Sequence, residues 1–267
     1  MKTRIALLGF FITLAFNTYA QYNALWKGKK CAVVLTYDDA LAVHLTNAIP
    51  ALDSLGLKAT FYIADISGDL QTQIPAWRSA AVNGHELGNH TLTHPCEGGR
   101  PGREFVRPEF DLTTYSLRRM TADIRAMNTL LYAIDGKTRR TFAYPCGDTR
   151  IGDTPYINEM KNAFIGARGV SPGITGADKV DLYNTNSFLV NGQSGEELIA
   201  QVKQAEAKQG LLVFLFHGVG GGHGLNVSLP AHRQLLRYLK QHENNIWIAP
   251  MVDVAVLVKE LQTKRQN

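Results

Sequence analysis

Short apolar runs suited to buried strands alternate with longer runs of helical periodicity along nearly the whole chain, and no other feature limits the possible folds as strongly. CAVVLTYDD at 31–39 is followed by LAVHLTNAIPALDSLG at 41–56, ATFYIAD at 59–65 by QIPAWRSAAVNG at 73–84, and HELGNH at 85–90 by the segment 116–135. That last segment carries Met120, Ile124, Met127, Leu131 and Ile134 three or four residues apart, the stripe of an amphipathic helix. TFAYP at 141–145 predicts a fourth strand, followed by a weakly patterned helix near 154–162 and strands in AFIGARG and TNSFLV. A helix at 195–209, the strand LLVFLFHG, a helix at 230–242, the strand IWIAP and a helix at 252–264 complete the series. Several strands are apolar on both faces, as buried parallel strands are. The pattern predicts an α/β fold with a single (β/α) barrel of about seven strands; an open doubly wound sheet satisfies the same alternation. In either fold the carboxyl ends of the strands share one face, and that face carries the active site.

Residues 1–20, MKTRIALLGFFITLAFNTYA, read as a secretory signal cleaved before Gln21, with Lys2 and Arg4 ahead of an apolar run too short to span a bilayer. No cysteine stands at the cut to take a lipid anchor, and no later segment is long and apolar enough to cross a membrane. Residues 21–267 are expected to form one domain, exported to the periplasm or beyond the cell, as a monomer. The chain has 28 Lys and Arg against 23 Asp and Glu; two basic residues and no acidic one leave with the signal, so the mature formal charge is +3. With no basic cluster beyond Arg118-Arg119 and Arg139-Arg140, nucleic-acid binding has no support. Three cysteines, Cys31, Cys96 and Cys146, make neither a disulfide framework nor, lacking C-x-x-C, a zinc finger.

The unusual polar residues fall at predicted strand ends. Asp38 and Asp39 close the first strand, His90 and His94 follow the third, Tyr144, Pro145, Cys146 and Asp148 close the fourth, and His217 ends LLVFLF. Two histidines four apart on one helical turn project to one side, where both can hold a cation at about 2.0 Å from nitrogen. Thr91, Leu92 and Thr93 lie between them, so the glutamate of a zincin is missing and a further ligand must come from elsewhere. Adjacent aspartates leaving a strand point to different sides, so one of Asp38 and Asp39 can ligate while the other takes a proton. His217, ahead of the glycine loop GVGGGHG, suits a general acid. His223 within that loop reads as a solvated position, and His44, His85, His232 and His242 as structural residues. The segment 95–108, PCEGGRPGREFVRP, reads as an inserted loop able to wall a substrate site.

These residues and their order resemble the polysaccharide deacetylase family, also called the NodB-homology domain or carbohydrate esterase family four. LTYDDA is similar to its first motif, HELGNHTLTHP to its second, FAYPCGD to its third and LFHGV to its last, the likeness running over residues 30–250. The resemblance implies a distorted (β/α) barrel and one divalent metal ion, usually zinc, on Asp39, His90 and His94. It implies Asp38 as general base, His217 as general acid, Leu215 beside the acetyl methyl, and an oxyanion and substrate pocket at Tyr144, Pro145 and Cys146 with the Cys146 N–H as donor. Three departures stand out. Ala143 occupies the place of an arginine that orients the base, Cys146 that of a tyrosine, and none of Trp26, Trp77 and Trp247 marks the fourth motif. If the barrel closes, Cys96 and Cys146 border one pocket, where a disulfide between them is a hypothesis.

The function expected is therefore a secreted metal-dependent hydrolase removing N-acetyl or O-acetyl groups from a glycan, chitin-like, peptidoglycan or acetylxylan. A carbohydrate-binding protein on a disabled scaffold is the alternative. A glycosidase would need carboxylates flanking the scissile bond, and Asp38 and Asp39 are too close in sequence to straddle a sugar.

Overall fold

A computed structural model of the protein describes residues 25–266; the signal assigned to residues 1–20 lies outside the described residues. Eight strands form the main sheet: β1 (Cys31–Asp38), β2 (Thr60–Ile63), β3 (Glu86–Asn89), β4 (Phe142–Ala143), β5 (Ala167–Arg168), β6 (Phe188–Leu189), β7 (Leu211–Phe216) and β8 (Ile246–Ile248). All pair in parallel, in the order β5-β4-β3-β2-β1-β7-β6. The segment entering β6 returns to β5: Thr185 N–H donates to Ala167 O at 2.9 Å and Gly169 N–H to Thr185 O at 2.8 Å. This seam closes a seven-stranded barrel and excludes the open sheet. β8 pairs with the first residues of β1, Cys31 to Val33, on the edge whose last residues pair with β2. It is a wedge at the amino end of the barrel.

The helices are α1 (Ile49–Ser54), α2 (Leu70–Val82), α3 (Leu117–Asp135), α4 (Gly195–Lys208), α5 (Leu229–Gln241) and α6 (Met251–Gln266). The predicted stripe of α3 is buried in full. Its start is capped by Ser116 Oγ, which accepts from Arg119 N–H, and its end by Gly136 in the left-handed region. Ser194 and Glu197 form a capping box on α4. The helix expected near 154–162 is instead two short 3-10 turns, Tyr156–Glu159 and Lys161–Ala163. Tyr156, Ile157, Met160 and Phe164 there pack into the cluster beneath α3, and Tyr156 Oη donates to Asp148 O at 2.6 Å, so tertiary anchoring overrides the weak helical pattern.

Strict alternation along the long strands divides the core. Val33, Leu35 and Tyr37 of β1 with Leu212, Phe214 and Phe216 of β7 pack under the helices, while Ala32, Val34, Leu211 and Val213 meet Trp26, Met251, Val254 and Val258 in a second cluster. Thr36, Asp38 and Leu215 continue this second row toward the carboxyl end. Near the amino end, buried Glu86 accepts from Thr60 Oγ1, from Thr141 N–H and Oγ1, and from Val252 N–H at 2.7 to 2.9 Å, tying β2, β3 and α6 together. The histidines read as structural have partners: His85 Nε2 lies 3.2 Å from Asp53, His232 Nε2 2.7 Å from Tyr37 Oη, and His242 stacks on Tyr238.

Candidate active site

β1 leaves the sheet through two left-handed residues, Asp39 at φ 79 and Ala40 at φ 51. This bend, which costs on the order of 1–3 kcal/mol at a non-glycine residue, corrects the expectation that the paired aspartates diverge. His90 Nε2 lies 3.7 Å from Asp38 Oδ2 and 3.5 Å from Asp39 Oδ1, so both carboxylates face one site.

His90 and His94 also meet, with ring centroids 4.8 Å apart, but not on a helical turn. The chain after β3 turns through Thr91 at φ 64 and His94 at φ 51. Asn89 Oδ1 accepts from Thr91 N–H at 2.7 Å, Asp123 Oδ1 from Leu92 N–H at 2.6 Å, and Thr91 Oγ1 from His94 N–H at 2.9 Å. Those bonds satisfy a backbone that no helix satisfies, and they make Asp123 of α3 a support of the site that sequence reasoning missed.

Asp39, His90 and His94 offer one ligand atom each, all within 4.8 Å of one another. Asp39 Oδ1 is buried without a hydrogen-bond partner among the described residues and lies 3.5 Å from Nε2 of both histidines. Ligands of a tetrahedral zinc ion stand about 3.4 Å apart, so the donor set and its spacing fit a divalent cation. The His90 Nδ1–H donates to Ala143 O at 2.8 Å, which leaves Nε2 with its lone pair toward Asp39. Burial lowers His90 to about 3 and His94 to about 4, so both are neutral at pH 7, and burial raises Asp39 to about 6. Ligand protons compete with a cation, so the affinity of this site for a divalent cation is expected to fall about tenfold per pH unit below the Asp39 value. Titration of Zn2+ against a chromophoric chelator at pH 5 and pH 7 checks this; equal affinities would show that Asp39 is not a ligand.

Arg168 overturns the expected absence of an arginine at the base. It is the cross-strand partner of Ala143 in the β4–β5 register, so the guanidinium arrives from the strand beside the position where it was sought. Fully buried, its Nη2 donates to Asp38 Oδ2, and the guanidinium lies 5.2 Å from the Tyr62 ring centre. Gly88 makes room for that ring: a Cβ there would come within 2.4 Å of Tyr62 Cδ1. Burial alone would raise the pKa of Asp38, but the charges of Arg168, His90 and His217 and the Arg168 hydrogen bond overcome it and hold the carboxyl below its ordinary value. A lone arginine inside the apolar strand FIGARG was the signal available in the sequence.

His217 follows β7 with Nε2 3.7 Å from Asp39 Oδ2, and its carbonyl accepts from His44 Nε2–H at 2.7 Å. Burial lowers its pKa against the opposing charges of Asp38 and Asp39, and its buried Nδ1 has no partner among the described residues. Leu215, two residues earlier, lies on the same row. Tyr144 departs from the expected pocket: its ring packs against Phe142 and Tyr156, and its hydroxyl donates to Tyr183 O at 2.6 Å. Pro145 is buried and Cys146 takes a left-handed turn at φ 54.

Cys96 and Cys146 form a disulfide with Cα atoms 5.8 Å apart, and Cys31 is free and buried. The 95–108 loop is thereby fastened to the turn after β4, and Arg103 adds paired hydrogen bonds to Asp148 and one to Cys146 O at 3.0 Å. Closing a loop with a sequence separation of 50 is worth about 4 kcal/mol in the chain-entropy account. The variant Cys96→Ser/Cys146→Ser is expected to unfold at lower urea concentration by about 2–4 kcal/mol; a midpoint equal to the parent's would refute a stabilising role.

The polysaccharide deacetylase family matches the chain over residues 27–163. A gellan lyase from Bacillus sp is 29% identical over 174 residues, 65% of this chain, and the chain spans about 6% of that relative's length. A candidate polysaccharide deacetylase from Mycobacterium smegmatis superposes with a TM-score of 0.63 at 14% identity, covering 88% of this chain and 92% of that one. A CE4 family pseudoenzyme from Bacillus anthracis superposes with a TM-score of 0.53 at 17% identity, covering 85% of this chain and 66% of that one. At such identities the solved structures share the barrel, and kinship rests on the sequence match. Since that match takes in more than half of the 267 residues, the chain belongs to the polysaccharide deacetylase family.

Proposed function

We propose that the protein is a secreted, metal-dependent carbohydrate deacetylase that hydrolyses N-acetyl or O-acetyl groups of a glycan, chitin-like, peptidoglycan or acetylxylan. The observation that carries this reading is the meeting of Asp39, His90 and His94 with an arginine-held Asp38 and with His217 at the carboxyl ends of the strands. Asp39, His90 and His94 would hold a divalent cation, zinc by their nitrogen and oxygen donors, and when bound it would supply Lewis acidity toward the acetyl carbonyl and water. Asp38, ionised beside Arg168, takes the proton of the attacking water. The Cys146 N–H stabilises charge developing on the carbonyl oxygen, and Leu215 borders the methyl group. His217 gives its proton to the departing amine or alcohol. One chain supplies every group, which supports a monomer.

Export is part of the proposal. It is supported by the leader-like residues 1–20 and by the Cys96–Cys146 disulfide, a bond that persists in oxidising compartments. The unpartnered Nδ1 of His217 favours a second reading, a weakened enzyme that retains sugar binding. Acetate release from acetylated xylan and chitin oligomers, with and without chelator, separates the two. Chelator-sensitive release is expected; glycan binding without release from any acetylated glycan would favour the second reading.

A further inference from the structure

We propose that His223 is a substrate-contact residue, whose Nε2–H donates to an oxygen of the sugar that carries the acetyl group. The proposal rests on the deacetylase reading.

The loop carrying His223 is built rather than slack. Gly218 and Val219 pair with Asn226 and Val227; Gly220 N–H donates to Val227 O at 2.8 Å and Gly221 N–H to Asn226 Oδ1 at 2.9 Å. Gly220, Gly221 and Gly222 take φ values of 72, 123 and 83, a succession open to glycine alone without strain. A Cβ on Gly222 would come within 2.8 Å of Val43, so the loop lies directly against the segment that leaves β1. The turn folds the His223 imidazole back onto His217, with ring centroids 4.7 Å apart and planes 17° from parallel. His223 is exposed, as expected of a solvated loop position, but its ring is held in place rather than free.

The exposed ring is also fixed in tautomer. His223 Nδ1 accepts from Leu225 N–H at 3.0 Å, so the proton of the neutral imidazole sits on Nε2, which has no partner among the described residues. His217 protonates the atom leaving with the sugar, so the group stacked on His217 borders the sugar rather than the acetyl methyl. Hydroxyl, ring and glycosidic oxygens of a glycan are the acceptors such a donor meets.

The variants His223→Phe, which keeps a stacking ring but no donor, and His223→Ala are compared with the parent on two probes. One is an acetylated glycan oligomer, chitin- or xylan-derived as the parent accepts; the other is 4-nitrophenyl acetate, which has no sugar oxygen. Both variants are expected to raise KM for the oligomer about tenfold, the worth of one hydrogen bond; His223→Phe, which keeps the ring on His217, is expected to hold kcat within about twofold of the parent, whereas His223→Ala also removes that packing and is read on KM alone. An unchanged oligomer KM overturns the proposal, as does a loss confined to oligomer kcat, which would mean that His223 only positions His217; the aryl ester, whose leaving group needs no proton, reports whether the rest of the site is intact. If the parent releases no acetate, the deacetylase reading fails by itself. Calorimetric Kd values of chitin and acetylated xylan oligomers for parent and His223→Phe then decide the contact: about tenfold weaker binding supports it, and equal binding refutes it.

Discussion

Asp38→Asn is expected to lower kcat for acetate release by about a thousandfold while zinc binding stays near that of the parent. The amide is isosteric with the carboxylate and accepts the Arg168 hydrogen bond through its oxygen, but it cannot take a proton from water. Because Asp38 and Asp39 face one site, the contrast with Asp39→Ala is the informative one: that variant removes a carboxylate 3.5 Å from both imidazoles and is expected to lose zinc and activity together. Metal content and steady-state kinetics on the same preparations test the division. Equal zinc loss in the two variants would show that the neighbouring aspartates do not divide base from ligand.

Arg168→Met is expected to destabilise the protein by about 3–5 kcal/mol, because it leaves the Asp38 carboxylate buried without its counter-charge. For a chain of this size that corresponds to a fall in Tm of about 6–20 °C. The pH dependence follows from the sign of the shift. With Arg168 present the folded-state pKa of Asp38 is below its ordinary value, so the group contributes stability above the unfolded-state pKa and loses it as pH falls through the folded-state value. In Arg168→Met the largest charge opposing burial and its hydrogen bond are gone, so burial, the largest influence on Asp38, is expected to outweigh His90 and His217 and raise that pKa, and Asp38 then opposes folding as pH rises. The Tm gap between parent and variant is therefore expected to be small near pH 3 and to widen toward pH 7. The acid limb of the kcat/KM profile should move to higher pH for the same reason. Pairing the change with Asp38→Leu removes both buried charges and should restore most of the stability without restoring activity. A pH-independent gap, or an unaltered acid limb, would show that Arg168 packs the barrel without governing the base.

The two results bear on the weakened-enzyme reading from different directions. Asp38, the proposed base, has its arginine from a neighbouring strand despite Ala143, which supports the enzyme reading. His217, the proposed acid, has a buried Nδ1 without a partner among the described residues, so its competence distinguishes the two readings. An amide substrate asks more of that acid than an ester does, so the ratio of N-acetyl to O-acetyl hydrolysis reads its competence.

The amino-acid sequence by itself determined the alternation of strands and helices, the burial of the α3 stripe, and the residues that could hold a cation. These are local in origin: periodicity sets which face of an element is apolar, and HELGNHTLTHP and LTYDDA each place reactive groups within a few bonds of a strand end. Only the tertiary structure decided how they meet. The bend at Asp39 and the non-helical turn from His90 to His94 include left-handed residues that the surrounding fold sustains against local preference, the turn through hydrogen bonds that Asn89 and Asp123 accept from its backbone. Arg168 reaches Asp38 across a separation of 130 residues, Cys96 reaches Cys146 across 50, and His223 is turned onto His217 by three glycines. Such pairings depend on strand register and barrel closure, and a linear pattern carries neither, because one residue of register moves a side chain from the barrel interior to its outer face.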